Sequence, residues 1–260
     1  MFVRAVCTDM PGETAQADPS GRDKRRTEMK HAHDAIRIVV AVIMAVALKR
    51  AVEATFNPPA GAEVKTLSMF TAGEVAAFLV FLVTIARFFM GDMRHLDTTY
   101  LDPIMGTKEA GPGETRPLNR FLDFYLLLTH GIIFFYMATS IASTRYFFLF
   151  YTFLILFNTL WLVVITVLGA NTVDHRSAVE ELKRRGAVGF LRTRPPQTRW
   201  ALNNTLFGGL FVLVLVYGSL LSVPLLIPFV VLALGNSAVD YFLTWEFYFP
   251  PFESLESSGQ

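Results

Sequence analysis

The sequence predicts an all-α, polytopic integral membrane protein with about six transmembrane helices. Hydrophobic residues make up 53% of the 260 residues and charged residues only 17%, a composition too apolar for an ordinary soluble domain. The apolar residues also gather into long runs separated by polar segments. Runs of this kind match the roughly 20 residues that a helix needs to cross about 30 Å of hydrocarbon.

The chain divides into a polar leader, a membrane domain and a short tail. Residues 1–34 are polar and basic and lack the apolar core of a signal peptide, so we expect them to be disordered. Residues 35–249 form the predicted transmembrane domain, with cytoplasmic loops at 91–119 and 171–202. Residues 250–260 form a polar C-terminal tail.

The first two predicted spans are shorter than the others and carry charge. Residues 36–52 and 75–90 contain basic side chains, which are tolerated near helix ends because long side chains reach the membrane interface. The alternative is four spans, with these two segments lying on the inner surface as interfacial helices.

The remaining spans are longer and more apolar. Residues 121–143 and 146–170 are each long enough to cross a bilayer. The run 206–243 is too long for one helix and is interrupted by two prolines, so we expect two spans joined by a tight turn near 222–224.

The distribution of basic residues predicts the orientation of these spans. With the N-terminus inside, 19 of the 23 Lys and Arg residues fall on the cytoplasmic side, where short loops of membrane proteins retain basic residues. Both termini are therefore expected in the cytoplasm. The expected location is a cell membrane, most simply a bacterial inner membrane.

Aromatic side chains lie at the predicted membrane boundaries. They include Trp200 before span five, and Trp245, Phe247 and Tyr248 after span six. Tyr and Trp are enriched at both membrane interfaces, so we interpret these residues as interfacial anchors.

Five predicted helix ends bring polar residues to the cytoplasmic face. Asp123 and Asp240 stand out because they lie inside apolar runs, where a charge costs about 2.5–3.5 kcal/mol on insertion scales. For residues in the loops, caps and solvated charge at helix ends are the simpler explanation. The candidate vestibule, for an ion, a polar substrate or a headgroup, consists of Arg87, Asp92, Arg94, His95, Asp97, Asp123, Asp174, His175, Asn236 and Asp240.

A second polar pair is expected inside the bilayer. His130 lies 14 residues before Thr144 and Asn158 lies 14 residues after it, so both should lie about 20 Å from the turn between spans three and four. We expect the two side chains to hydrogen-bond as packing contacts, worth about 1 kcal/mol. A proton or ion relay that includes Asp123 is the alternative.

The sequence lacks the common motifs of catalysis and cofactor binding. It contains no P-loop, Rossmann glycine pattern, GxSxG, HExxH or CxxC motif, and the single Cys7 excludes an internal disulfide. No catalytic residue, cofactor or metal site is therefore predicted. The basic loop 176–199 suits anionic lipid headgroups, and it would also suit a cytoplasmic protein or nucleotide, although nothing indicates specific nucleic-acid binding.

Three functions are compatible with these features. The favoured hypothesis is a homo-oligomeric channel or pore-forming membrane effector with a polar cytoplasmic vestibule, because small membrane chains commonly assemble symmetrically. One alternative is a non-catalytic membrane subunit that presents its basic loop to a partner. The other is a membrane-embedded enzyme that acts on a lipid or isoprenoid headgroup, with His95 or His175 as acid or base.

Overall fold

The protein is built from helices, as the sequence predicts. Among the residues that the structure describes there are six helices and no strand. The computed structural model describes residues 19–56, 71–98, 117–169, 184, 196–221 and 226–249.

The helices are numbered in chain order. Each overlaps a predicted span, but the ends differ: α1 and α5 begin ten or more residues before the predicted starts, and α3 ends four residues before the predicted end. Their bounds are α1 Pro19–Phe56, α2 Ala72–Leu96, α3 Pro117–Thr139, α4 Thr144–Gly169, α5 Pro196–Leu221 and α6 Leu226–Tyr248.

Five helices, α2 to α6, are long and apolar enough to cross a membrane. The chain is thus a multi-pass membrane protein by composition. Helix α5 ends at Leu221 and α6 begins at Leu226, and the turn predicted near 222–224 lies outside the described residues. Helix α1 lacks a comparable apolar stretch, because only eleven uncharged residues separate Arg37 from Lys49, fewer than the roughly 20 required. The sixth span and the orientation of the termini stay predictions.

Helix α1 begins within the leader for which the sequence predicted disorder. It starts at Pro19, and proline suits the first helical position because its fixed φ is helical and its missing N–H is not needed there. Lys, Arg, Glu, Met and Ala follow, all good helix formers. Residues 19–34 are therefore helical, whereas residues 1–18 lie outside the described part of the chain.

The two ends of the helical bundle differ in chemistry. Near the α3–α4 turn the core is aromatic: the Phe148 and Phe229 rings stack with centroids 4.4 Å apart, and Phe211 stacks on Phe229 at 5.4 Å. We call this the aromatic end. At the opposite end, the polar end, α2, α4 and α6 finish and α3 and α5 begin. The buried Arg87, Asp123 and Asp240 lie there, whereas the buried Glu74 lies at the start of α2 near the aromatic end.

Helices α1 and α3 approach closely at a glycine. A Cβ atom added at Gly131 of α3 would collide with the Ile43 side chain of α1. The facing side of α1 is a stripe of buried residues at helical spacing, including Val40, Met44 and Ala47. Gly131 therefore sets how near α1 lies to the rest of the bundle.

We predict that Gly131→Leu destabilises the protein and that Gly209→Leu does not. Overpacking a tight contact costs about 1–3 kcal/mol, whereas a Cβ at Gly209 of α5 meets nothing within 4 Å. Thermal unfolding of the two variants in the same detergent should show a lower Tm for Gly131→Leu only. Equal Tm values would mean that α1 does not pack against α3 as described.

Candidate functional site

The last turns of α2 are the centre of a polar network at the polar end. The stretch 87–97 reads RFFMGDMRHLD. Each of its charged side chains contacts a residue of another helix. The partners belong to α1, α3, α5 and α6. The charged cluster is therefore a junction between helices, and each contact is described below.

A buried, hydrogen-bonded ion pair joins α2 to α6, and its arginine also contacts α5. Arg87 Nε donates to Asp240 Oδ2 at 2.7 Å, and Arg87 Nη2 donates to Asn204 Oδ1 at 2.9 Å. The Tyr248 hydroxyl donates to the same Asp240 oxygen at 2.8 Å. Arg87 is 3% exposed and Asp240 is 1% exposed, so the two charges depend on each other for neutralisation.

Two histidine–aspartate pairs join α2 to α3. His95 Nε2 lies 3.4 Å from Asp123 Oδ2, and His130 Nδ1 lies 3.4 Å from Asp92 Oδ2. In the described residues His130 has no hydrogen bond to Asn158. Equal depth does not fix the rotation of a helix about its axis. The His130 ring lies in T-shaped contact with Phe88 of α2 at 5.0 Å and with Phe157 of α4 at 6.0 Å between centroids.

The end of α2 also contacts α1 and α6. Asp97 Oδ1 lies 3.2 Å from His33 Nε2 and 3.4 Å from Arg37 Nη1, both in α1. Arg94 Nε donates to the Phe247 carbonyl at 3.2 Å. The predicted vestibule residues Arg94 and Asp97 are thus used in helix contacts.

Asn236 belongs to a neighbouring buried cluster. Asn203 Nδ2 donates to Asn236 Oδ1 at 2.7 Å, and Asn236 Nδ2 donates to the Tyr151 hydroxyl at 3.4 Å. This cluster links α4, α5 and α6 one helical turn from Asp240, on the side of the aromatic end. Asn236 therefore holds helices together and does not line the cleft described next.

A cleft opens between α2, α3, α4, α5 and α6 at the polar end. Four predicted vestibule residues line it, and so does Asn158 of the predicted pair. Asp123 lies behind His95, and the predicted residues Asp174 and His175 lie outside the described residues. The lining consists of Arg87, Phe88, Gly91, Asp92, His95, Leu126, Asn158, Trp161, Leu162, Gln197, Trp200, Asp240 and Tyr248.

Leaving aside His95, whose Nε2 lies 3.4 Å from Asp123 Oδ2, four buried polar atoms on cleft-lining residues have no hydrogen-bond partner within the described part of the chain. They are the donors Arg87 Nη1, Trp161 Nε1 and Trp200 Nε1, and the acceptor Asp240 Oδ1. A buried group left without a partner costs about 1–3 kcal/mol. A polar molecule in the cleft would supply the missing partners.

Sequence reasoning missed the aromatic members of this site. Trp200 and Tyr248 were interpreted as interfacial anchors, yet Trp200 is 9% exposed and Tyr248 bonds to Asp240. The adjacent Asn203 and Asn204 at the start of α5 were the available signal, because two consecutive amides inside an apolar helix need partners.

The chemistry of the site has to be interpreted from its own residues. No family model, curated protein or solved structure matches the chain. Among the described residues no group of three His, Cys, Asp or Glu side chains could hold a metal ion. The arrangement offers hydrogen-bond donors and carboxylates in a cleft that is partly apolar.

We predict that Tyr248→Phe lowers the Tm in detergent. The change removes one of the donors to the buried Asp240 carboxylate, a loss of about 1–3 kcal/mol. Tyr217→Phe is the matched control, because the Tyr217 side chain is 59% exposed on α5 and should tolerate the same change. If both variants melt at the wild-type temperature, Tyr248 does not support Asp240.

Proposed function

We propose that the protein binds the polar headgroup of a membrane-resident amphiphile in the cleft at the polar end. The observation that carries the proposal is the set of buried, unpartnered polar atoms on residues that line one cleft. Binding sites commonly combine apolar walls with a few convergent polar groups. Phe88, Leu126 and Leu162 supply apolar wall here.

A lipid-like ligand fits the surroundings of the cleft. The outward faces of the helices that form it are apolar, with Leu160 of α4 62% exposed, Leu206 of α5 61% exposed and Phe242 of α6 59% exposed. An amphiphile would place its apolar chains along such surfaces and its headgroup between the helices. The predicted orientation would make the headgroup accessible from the cytoplasmic side.

The channel favoured by the sequence has less support from the described geometry. Phe148, Phe211 and Phe229 fill the aromatic end with stacked rings, so a path through one bundle would have to pass them. A path between subunits would run along the apolar outward faces. The channel, the homo-oligomer and the basic loop as a partner site stay hypotheses, and the flux measurement below separates the first from headgroup binding.

The distribution of tryptophan provides a direct test. The chain has three tryptophans: Trp161 and Trp200 line the cleft, whereas Trp245 is 58% exposed. In a Trp245→Phe variant, both remaining indoles report on the cleft. We predict that adding bacterial polar lipid to this variant in delipidated micelles shifts the indole emission in a saturable manner.

A second variant is the matched control. Trp161→Phe/Trp200→Phe keeps only the exposed Trp245, whose emission should follow the micelle composition without saturating. Liposomes that contain the wild-type protein should show no ion flux above empty liposomes. A large flux together with unchanged emission in the cleft reporter would reject headgroup binding in favour of the channel.

A further inference from the structure

We infer that the headgroup is zwitterionic and carries both a phosphate and a primary ammonium group, as in an ethanolamine phospholipid. The inference rests on the proposed function and specifies its ligand class. It follows from the kinds of atoms left unpartnered in the cleft and from the charges around them.

The donors that lack partners fit a phosphate. Arg87 uses Nε for Asp240 and Nη2 for Asn204, which leaves Nη1 without an acceptor. The indole N–H groups of Trp161 and Trp200 also lack acceptors and can only donate. Three donors with no acceptor suit a group with several strong acceptor oxygens, and arginine binds phosphate well.

The acceptors in the same cleft fit an ammonium group. Asp240 Oδ1 is buried without a hydrogen-bond donor, although Oδ2 of the same carboxylate receives two. Asp92 adds a second carboxylate to the lining. A primary ammonium carries three N–H donors, so it would give Asp240 Oδ1 its missing partner.

Charge around the cleft argues against a purely anionic headgroup. The lining contains one guanidinium, from Arg87, and two carboxylates, from Asp92 and Asp240. These three side chains together carry one more negative than positive charge. An anionic ligand would meet repulsion from the carboxylates, whereas a zwitterion places its phosphate near Arg87 and its ammonium near the acids.

The unpartnered oxygen also distinguishes a primary from a quaternary ammonium. A trimethylammonium group has no N–H and would leave Asp240 Oδ1 without a donor. It would be held only by charge and by the aromatic rings. Ethanolamine is therefore preferred over choline for a specific atomic reason.

The test is a headgroup panel with the Trp245→Phe protein. Dioleoyl phosphatidylethanolamine, phosphatidylcholine and phosphatidylglycerol are titrated in the same mixed micelles, and indole emission gives each Kd. We expect the ethanolamine lipid to bind about tenfold or more tightly than the other two lipids, because the loss of one charge-assisted hydrogen bond raises the Kd by about this factor. Soluble glycerophosphoethanolamine, titrated in parallel, should compete with the lipid, and the ratio of its Kd to that of the lipid gives the contribution of the acyl chains.

Variants assign the two ends of the headgroup. Trp200→Phe, in the same background, should weaken all three lipids together, because it removes a phosphate donor. Asp240→Asn should remove the preference for ethanolamine over choline. Asp92→Asn should reduce the same preference. Because Asp92 lies outside the Arg87 contact, this variant can replace Asp240→Asn if the latter fails to fold.

The possible outcomes separate the two proposals. No saturable response to any lipid would reject headgroup binding itself. Saturable binding with equal affinities, or with choline or glycerol preferred, would reject only the zwitterion assignment. An ethanolamine preference that survives in both folded aspartate variants would also overturn it. The wild-type lipid panel decides the assignment even if neither variant folds.

Discussion

The buried contact between Arg87 and Asp240 is the constraint on which the polar end depends. Each charge alone would be costly inside a membrane, so α2 and α6 must place them together. Asn204 of α5 and Tyr248 of α6 complete the contact. Because Arg87 lies before the last turns of α2, this contact also fixes where Asp92, His95 and Asp97 can meet their partners.

The pairs formed by Asp92, His95 and Asp97 extend the same junction to α3 and α1. Polar contacts thus hold one end of the bundle, while stacked aromatic rings fill the other. Polar side chains need specific partners and do not fill space as evenly as apolar residues. The cleft lies where this network leaves donors and an acceptor without partners, which is why we assign binding to this end.

The sequence was a good guide to the fold class. Long apolar runs predicted the helices, and the cost of a charge inside such a run drew attention to Asp240, which contacts Arg87 in the structure. Hydropathy says little about rotation around a helix axis, so it could not indicate that His130 would lie beside Asp92 of α2. For the same reason Trp200 and Tyr248 could not be distinguished from interfacial anchors, since both roles place an aromatic ring near a helix end.

The central claim is that Arg87 and Asp240 stabilise the fold as a pair, and a double-mutant cycle tests it most directly. The free energy of unfolding in mixed micelles would be measured for Arg87→Met, Asp240→Leu and the variant with both changes. Removing one partner of a buried pair costs about 3–5 kcal/mol, whereas replacing both by apolar residues can be nearly neutral. The account predicts that the double variant is more stable than either single one. If the loss of unfolding free energy in the double variant equals the sum of the losses in the two single variants, the account is contradicted.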